Sequence, residues 1–228
     1  MNIKVDFYYL KVLLRLAFLL LLFLMPVFLF GLIIYEVLIE RGGQFDAIMF
    51  QFLAAHSQDN VTKFLSFITF FGSVRFLVAA YTLLGLWLLL KRKIVLALNI
   101  AAIGFSSFFI LRLIKVFIDR SRPSDPLIDT LHVKYSFPSG HASSSLILAG
   151  LLIYLLWQKP GDYKVKYIIS LLLLLLSFLI GLSRIYLRMH YASDVLAGFC
   201  LGWIWINFSI LFLLFSRSSR NQLLKKLN

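Results

Sequence analysis

Cysteine and acidic residues are scarce, because the 228-residue sequence holds one cysteine and ten Asp and Glu. The lone Cys200 excludes an internal disulfide, and its place inside an apolar run predicts a small buried residue. The acidic residues are scattered, so no cluster has the spacing of metal ligands, and we expect neither a metal nor a cofactor. No polar stretch is long enough for a separate soluble domain. We therefore expect a single domain over residues 1–228.

Apolar residues dominate instead, at 61% of the chain with a mean hydropathy of +0.91. This exceeds the usage of soluble domains and predicts an all-α, polytopic membrane bundle. A run of about 20 apolar residues suffices to cross a bilayer. Six transmembrane helices are predicted, near residues 16–35, 74–90, 94–118, 141–157, 167–182 and 191–215.

Two features near the N-terminus need separate interpretation. The first apolar run is compatible with a cleaved signal peptide, but charged residues follow it instead of small ones, which favours a retained span. Between the first two spans, apolar residues at helical spacing predict two short amphipathic helices, near 45–53 and 64–71. We expect both helices to lie at the membrane interface.

The net charge of +13 is distributed unevenly. Thirteen of the 23 Lys and Arg residues lie in the N-terminal tail, the turns at 91–93 and 159–166, and the C-terminal tail. Six spans place these four segments on one face, which the positive-inside rule assigns to the cytoplasm. Seven of the other ten fall within 112–134 and 184–188, on the opposite face. Cations there indicate an anionic ligand, and nothing in the pattern predicts a nucleic-acid partner.

Three polar clusters are predicted at that outer face, at one membrane depth. Taken singly, each has an ordinary explanation: an anchor, a turn into a helix, or a structural His–Asp pair. Together they argue against coincidence, because polar groups so close to apolar spans are costly to keep. The clusters are Lys115 with Arg122-Pro123; Pro138-Ser139-Gly140-His141; and Ser183-Arg184 with His190 and Asp194.

Each cluster suits phosphoryl transfer. Three of the cations, Lys115, Arg122 and Arg184, can clamp the charge that spreads over a transferring phosphoryl group. Free N–H groups at Ser139 and Gly140, where the fourth span begins, would favour an anion. The remaining members are His190, Asp194 and His141.

The two histidines take different parts in this chemistry. Four residues separate His190 from Asp194, so on a helix they share a face. The carboxylate can then hold one imidazole nitrogen of His190 and leave the other free to attack phosphorus. The second histidine, His141, can protonate the leaving group and later activate water.

Other polar residues of this region receive simpler interpretations. Arg112, Arg120 and Arg188 are expected to be anchors or ion-pair partners. The spacing of Asp119 predicts a pair with Lys115, one helical turn away. The loop residue His132 has no spaced partner and is expected to be solvated.

The three clusters resemble the three signature motifs of the type 2 phosphatidic acid phosphatase family, whose site is shared with vanadium haloperoxidases. Every motif position is matched, within residues 115–194. The resemblance implies a helical bundle, metal-independent hydrolysis of a phosphate monoester or pyrophosphate, His190 as nucleophile and His141 as acid. From the charge placement we expect an integral protein of the bacterial inner membrane whose active site faces the extracytoplasmic side.

The expected substrate is a lipid phosphate, with membrane lipids around it: undecaprenyl pyrophosphate, phosphatidylglycerophosphate, phosphatidic acid or a lipid A phosphate. Haloperoxidase chemistry with bound vanadate is disfavoured, because a membrane bundle suits a lipid better than a diffusing halide. A transporter or catalytically silent lipid-binding relative is the other alternative. The silent relative would be expected to lack one of the two histidines. The oligomeric state and an acceptor other than water stay open.

Overall fold

The computed structural model describes residues 3–39, 43–128 and 134–227, and these form eight helices. Five of them are long and apolar enough to cross a membrane. A sixth span results if α3 and α4, which meet at a bend of 41°, act as one. When this bent pair is counted as one span, the predicted bundle of six membrane helices is confirmed. The helices are α1 Ile3–Ile39, α2 Gln44–Ala55, α3 Asp59–Phe70, α4 Val74–Leu90, α5 Ile94–Ile118, α6 Gly140–Trp157, α7 Tyr163–Tyr186 and α8 Ala192–Leu227.

The predicted spans agree with these helices to different degrees. The second and third coincide with α4 and α5, because a capping Ser73 and the turn at 91–93 mark their limits in sequence. The first, fifth and sixth are longer than predicted, since α1, α7 and α8 continue into polar residues that hydropathy does not count as membrane. Cys200 is buried in α8, as expected.

The two short helices do form, but they are not separate from the bundle. α3 packs on α7, and α2 packs on both α7 and α8. The residues of α3 that face α7 include buried Leu65, Ile68 and Thr69. Both were predicted as amphipathic helices at the membrane interface, but Asp46 of α2 and Thr69 of α3 reach polar groups inside the protein.

α6 lies at the centre, against α7 on one side and α8 on the other. Small residues let α6 and α8 approach closely, as in other membrane helix pairs. A Cβ on Gly198 would lie 2.6 Å from the carbonyl oxygen of Ser139, and one on Gly202 would lie 2.9 Å from that of Ser143. The two glycines form a GxxxG pattern on α8. This close contact fixes the start of α6 beside the start of α8.

The helix directions bring all three polar clusters to one end of the bundle. α5 and α7 end there, and α6 and α8 begin there. The polar turns 91–93 and 158–162 join the other ends of these helices and therefore lie at the opposite end of the bundle. The two ends are about 37 Å apart along α5, at about 1.5 Å per residue. Apolar side chains cover much of the outer surface between the two ends, as a lipid-facing surface requires.

Candidate active site

The loop after α5 closes over the starts of α6 and α8. The ammonium of Lys115, in the last turn of α5, donates to the carbonyl oxygens of Tyr135 at 3.4 Å and Ser136 at 3.1 Å. Ser139 is the N-cap of α6, and its backbone N–H donates to the carbonyl oxygen of Asp194 at 2.9 Å. These bonds join the first predicted cluster to the second, and the second to the third.

The third cluster is shaped by the turn between α7 and α8. Arg188 has a left-handed backbone, with φ 54°. The carbonyl oxygen of Arg184 accepts from the N–H of Met189 at 2.9 Å and of His190 at 3.1 Å, which caps the end of α7. The assumption that His190 sits on a helix is therefore wrong. It precedes the first residue of α8, and the tight turn rather than helical spacing brings it to Asp194.

His190 and Asp194 nevertheless face each other in the interior, where only 1% and 0% of their surfaces are exposed. Nδ1 of His190 lies 3.4 Å from Oδ2 of Asp194 and 3.3 Å from the hydroxyl of Ser136. That carboxylate oxygen also accepts from the Ser136 hydroxyl and from the N–H of Tyr191 at 2.9 Å. The nitrogen next to Asp194 is thus Nδ1, which leaves Nε2 as the nitrogen for chemistry.

Burial also controls the charge of this imidazole. Loss of water lowers the pKa of His190 to about 3, against the opposing effect of the Asp194 carboxylate. The ring is therefore neutral at pH 7, and a neutral imidazole keeps the lone pair that a nucleophile needs.

The two predicted arginines carry donors without protein partners. Arg184 donates from Nη1 to the hydroxyl of Thr69 at 2.8 Å, and Arg122 donates from Nη1 to the carbonyl of Met189 at 3.2 Å. The Nε groups of both arginines, and the hydroxyl of Ser139, are buried without a hydrogen-bond partner among the described residues. Orphaned buried polar groups are rare and costly. Three of them in the predicted phosphate-binding set indicate a place for an anion.

The predicted pair of Lys115 with Asp119 is wrong. Asp119 has a left-handed backbone, with φ 45°, at the end of α5, and its carboxylate lies 3.2 Å from the ammonium of Lys134. The side chain of Lys115 instead points inward to the 135–136 carbonyls. In the described part of the chain Lys115 forms no salt bridge, and the carboxylate whose charge acts on it is that of Asp194.

Arg120 forms ion pairs, one of the two roles predicted for it. Its guanidinium donates to Asp194 at 2.7 Å, to Asp46 of α2 at 2.7 Å and to the hydroxyl of Ser193 at 2.7 Å. The face of the guanidinium lies 4.1 Å from the ring centroid of Tyr191. Burial acts to lower the pKa of Arg120, but the two carboxylates outweigh it and raise the pKa. Arg120 therefore links α2 to Asp194.

His141, in the first turn of α6, is mostly buried but more exposed than His190. Its ring packs against Gly72, in the bend between α3 and α4: a Cβ on Gly72 would lie 2.9 Å from Cδ2 of His141 and 2.5 Å from Ile180. The charges of Arg184 and Arg122 act on this ring. The second histidine thus stands at the more open side of the site, while His190 lies at its buried side.

Sequence reasoning missed four residues of this network: Ser136, Asp46, Thr69 and Ser193. A signal existed for Asp46, because it is the one charged residue of a short, mostly apolar helix, and such residues near a membrane are usually functional. The other three are ordinary hydroxyl residues, which no spacing distinguishes. His132, expected to be solvated, lies outside the described residues.

Comparison with known proteins identifies the family. The PAP2 superfamily profile matches residues 92–218, more than half of the chain. The chain belongs to the PAP2 superfamily. Phosphatidylglycerophosphatase B of Bacillus subtilis (strain 168) is 30% identical over 137 residues, covering 59% of this chain and 66% of that protein. Sphingosine-1-phosphate phosphatase 1 of Mus musculus is 41% identical over 85 residues, covering 34% of this chain and 19% of that protein.

A solved structure is similar over a larger part of the chain. The crystal structure of a transmembrane PAP2-type phosphatidylglycerolphosphate phosphatase from Bacillus subtilis has a TM-score of 0.75 and 25% identity. The match covers 82% of this chain and 94% of that one. By sequence, the chain spans just under two thirds of the Bacillus relative and about a fifth of the mouse one. The similarity confirms the membrane-helix fold and the family suggested by the three motifs.

Proposed function

We propose that this protein is an integral membrane phosphatase that hydrolyses a phosphate monoester or pyrophosphate of a lipid through a phosphohistidine. The single observation that carries the proposal is the buried His190–Asp194 pair, with Nδ1 held at 3.4 Å and Nε2 left free. A silent lipid-binding relative has no need for a neutral, buried imidazole beside three unneutralised cations. The family relationship supports the reaction class, since the relatives described above are named as lipid phosphatases.

In the first step, Nε2 of His190 attacks phosphorus, and the bond between phosphorus and the leaving oxygen breaks. His141 gives its proton to that oxygen, so the lipid leaves as a neutral alcohol or a protonated phosphate. Asp194 stabilises the imidazolium that develops, in the way a buried carboxylate orients a catalytic histidine. In the second step, His141 removes a proton from water, which attacks phosphorus and releases His190 and inorganic phosphate.

The cations stabilise the charge on the equatorial oxygens in both steps. The Nε groups of Arg122 and Arg184, which have no partner among the described residues, donate to the phosphate, and Lys115 supplies a third positive charge. Ser139 and Gly140 add a hydroxyl and a backbone N–H at the start of α6. Arg120 is a positioning residue here, because it donates to Asp194 and not to the proposed substrate, and Asp46 acts on Asp194 only through Arg120.

The first substrate to test is phosphatidylglycerophosphate, because the Bacillus relatives are named for it. The other candidates are undecaprenyl pyrophosphate, phosphatidic acid and a lipid A phosphate. We place the reaction at the extracytoplasmic face of a bacterial inner membrane. The support is the excess of exposed cations at the opposite end of the bundle, which is the pattern of a cytoplasmic face.

The test compares purified wild type, His190→Ala and His56→Ala in detergent, with EDTA present, over these four lipids. His56 is the matched control, because it is an exposed histidine outside the site. We expect the wild type and His56→Ala to release phosphate at equal rates. His190→Ala should lose about 10⁴-fold or more in kcat, as removal of other enzymes' nucleophiles does. Rapid quenching should trap an acid-labile phosphoryl group on the wild type and on His56→Ala, but not on His190→Ala.

Two results would contradict the proposal. If His190→Ala keeps wild-type rates, His190 is not the nucleophile. If the wild type hydrolyses none of the lipids, with or without added divalent cations, a silent lipid-binding protein or a transporter becomes the better interpretation. Activity that disappears only with EDTA would contradict the metal-independent part.

A further inference from the structure

A cavity of about 260 Å³ opens at the end of the bundle opposite to the candidate active site. It lies between the end of α4, the start of α5, the end of α6 and the last turns of α8 whose side chains the structure describes. The cavity residue Lys93 is the N-cap of α5, and Lys115 of the site lies in the last turn of the same helix. The two are about 33 Å apart at about 1.5 Å per residue, so the cavity is separate from the site.

The walls of the cavity are tied together across helices. The amide of Asn99 on α5 donates to the hydroxyl of Ser216 on α8 at 2.9 Å. The guanidinium of Arg217 on α8 donates to the side-chain oxygen of Gln158, the C-cap of α6. Since side-chain bonds join α8 to both α5 and α6 at this level, three of the four helices around the recess are held together.

Positive charge converges on this recess from three separate segments. Lys93, Lys159 and Arg217 line it, and no acidic residue does in the part of the chain that the structure describes. The ammonium of Lys159 also lies 4.6 Å from the ring centroid of Trp87, another lining residue. No side chain caps the start of α5, so its free N–H groups add positive potential. The chemistry of the recess selects an anion.

Apolar surface continues from the recess along two helices. Val95 and Leu213 line the cavity itself. One turn further along α5, Leu98 is 64% exposed, and Leu214 of α8 is 47% exposed. A free phosphate would use only the cations. A ligand with an anionic head and long apolar chains would use both the recess and the apolar strips below it.

We propose that this recess binds the headgroup of an anionic phospholipid, whose chains run along α5 and α8. Basic recesses between transmembrane helices commonly hold such headgroups. Tryptophan at the same level fits the aromatic belt of a membrane interface. This site goes beyond the proposed phosphatase reaction, and binding to it does not depend on catalysis.

The test is native mass spectrometry of the full chain, delipidated in a neutral detergent and titrated with dioleoylphosphatidylglycerol or dioleoylphosphatidylcholine. The recess variant carries Lys93→Gln, Lys159→Gln and Arg217→Gln. The charge-matched control carries Lys91→Gln, Arg92→Gln and Lys164→Gln, which change exposed cations of the same end outside the recess. Lipid bound at the active site is equal in both variants, so their difference reports the recess.

We expect wild type and the control to retain one more phosphatidylglycerol than the recess variant, with at least tenfold tighter binding for that lipid. Phosphatidylcholine retention should not differ. Equal phosphatidylglycerol retention in both variants would overturn the site. Displacement of the lipid by millimolar inorganic phosphate would assign the recess to a free anion and overturn the lipid proposal. If the triple variant does not fold, the charge reversal Lys159→Glu alone carries the same comparison.

Discussion

The two ends of this bundle are both basic, yet several cations at the site end are buried, whereas the described cations at the opposite end are exposed apart from Lys166, which is 6% exposed. At the opposite end, Lys91, Lys93 and Lys164 are exposed. At the site end, Lys115 and Arg184 are 8% and 5% exposed and lie among polar groups of several helices. The same residue types thus serve as membrane-face anchors at one end and as interior charges at the other.

The difference shows that the site end must compensate for the hydration that its buried cations lose. Exposed cations cost nothing to solvate, but each buried one loses several kcal/mol of hydration unless partners replace the water. At the site, backbone carbonyls, Asp46 and Asp194 supply part of that replacement. The Nε groups of Arg122 and Arg184 have no hydrogen-bond partner among the described residues, and the proposed function assigns them to a bound phosphate. The distribution of charge along the sequence therefore indicates how the helices are oriented in the membrane, whereas burial of a charged side chain marks it as a candidate functional residue.

The largest expected effect separates two cations of one helix. Arg184 is in the last turn of α7, and Lys164 is in its first turn. Arg184→Gln should lower kcat/KM by about 10²–10³-fold, because it removes a charged donor from the transition state. Lys164→Gln should change the same quantity by less than about twofold. Phosphate release from the preferred lipid measures both.

Arg184→Lys refines that comparison. Lysine keeps the charge but lacks the planar fork, so activity should fall between the wild type and Arg184→Gln. Equal activity of Arg184→Gln and Lys164→Gln would mean that the buried cation serves only packing, and the distinction between the two ends would fail.

The next effect concerns the carboxylate that balances Arg120. Asp46→Asn removes the charge but keeps the shape, leaving Arg120 to act on Asp194 alone. We expect kcat to fall about 10- to 100-fold with little change in KM, because the His190–Asp194 geometry shifts by a fraction of an ångström. Asp59→Asn, the acid in the first turn of α3, is the exposed control.

A double variant decides whether Asp46 acts through Asp194. If it does, adding Asp46→Asn to Asp194→Asn should cost little more than Asp194→Asn alone. Additive losses in kcat would instead show that Asp46 supports the fold and not the geometry of the pair.

The sequence predicts the helices well and the meeting of the three motifs at one end of the bundle, because long apolar runs and the charged residues between them are strong local signals. It fails where contacts come from distant segments. Asp46 reaches Arg120 across 74 positions, and Thr69 reaches Arg184 across 115. No spacing rule covers such pairs. The turn at Arg188 was missed for a different reason, since a left-handed backbone at arginine is unfavourable and only the packed structure imposes it.

A smaller effect comes from the close contact of α6 and α8. Gly198→Ala places a methyl 2.6 Å from the carbonyl oxygen of Ser139, so backbone must move at the site. We expect a loss of about 1–3 kcal/mol in the free energy of unfolding, as for other overpacked positions. Gly85→Ala, on α4 towards the opposite end, meets nothing within 4 Å. It should be neutral or stabilising by up to about 1 kcal/mol. Thermal unfolding in detergent compares the two, and equal midpoints would contradict the close packing.

The smallest effect is a pH dependence confined to the site end. The pKa of His190 is about 3 in the folded protein and 6.5 when exposed. Below pH 6.5 the unfolded chain therefore binds a proton that the folded protein does not, so stability falls as the pH falls. At pH 5 the loss is about 2 kcal/mol, while above pH 6.5 this group has no effect. His190→Gln lacks the titrating imidazole, so its thermal midpoint should decrease less than that of wild type between pH 7.5 and 5. Parallel decreases would mean that His190 is hydrated, and the buried nucleophile would lose its main support.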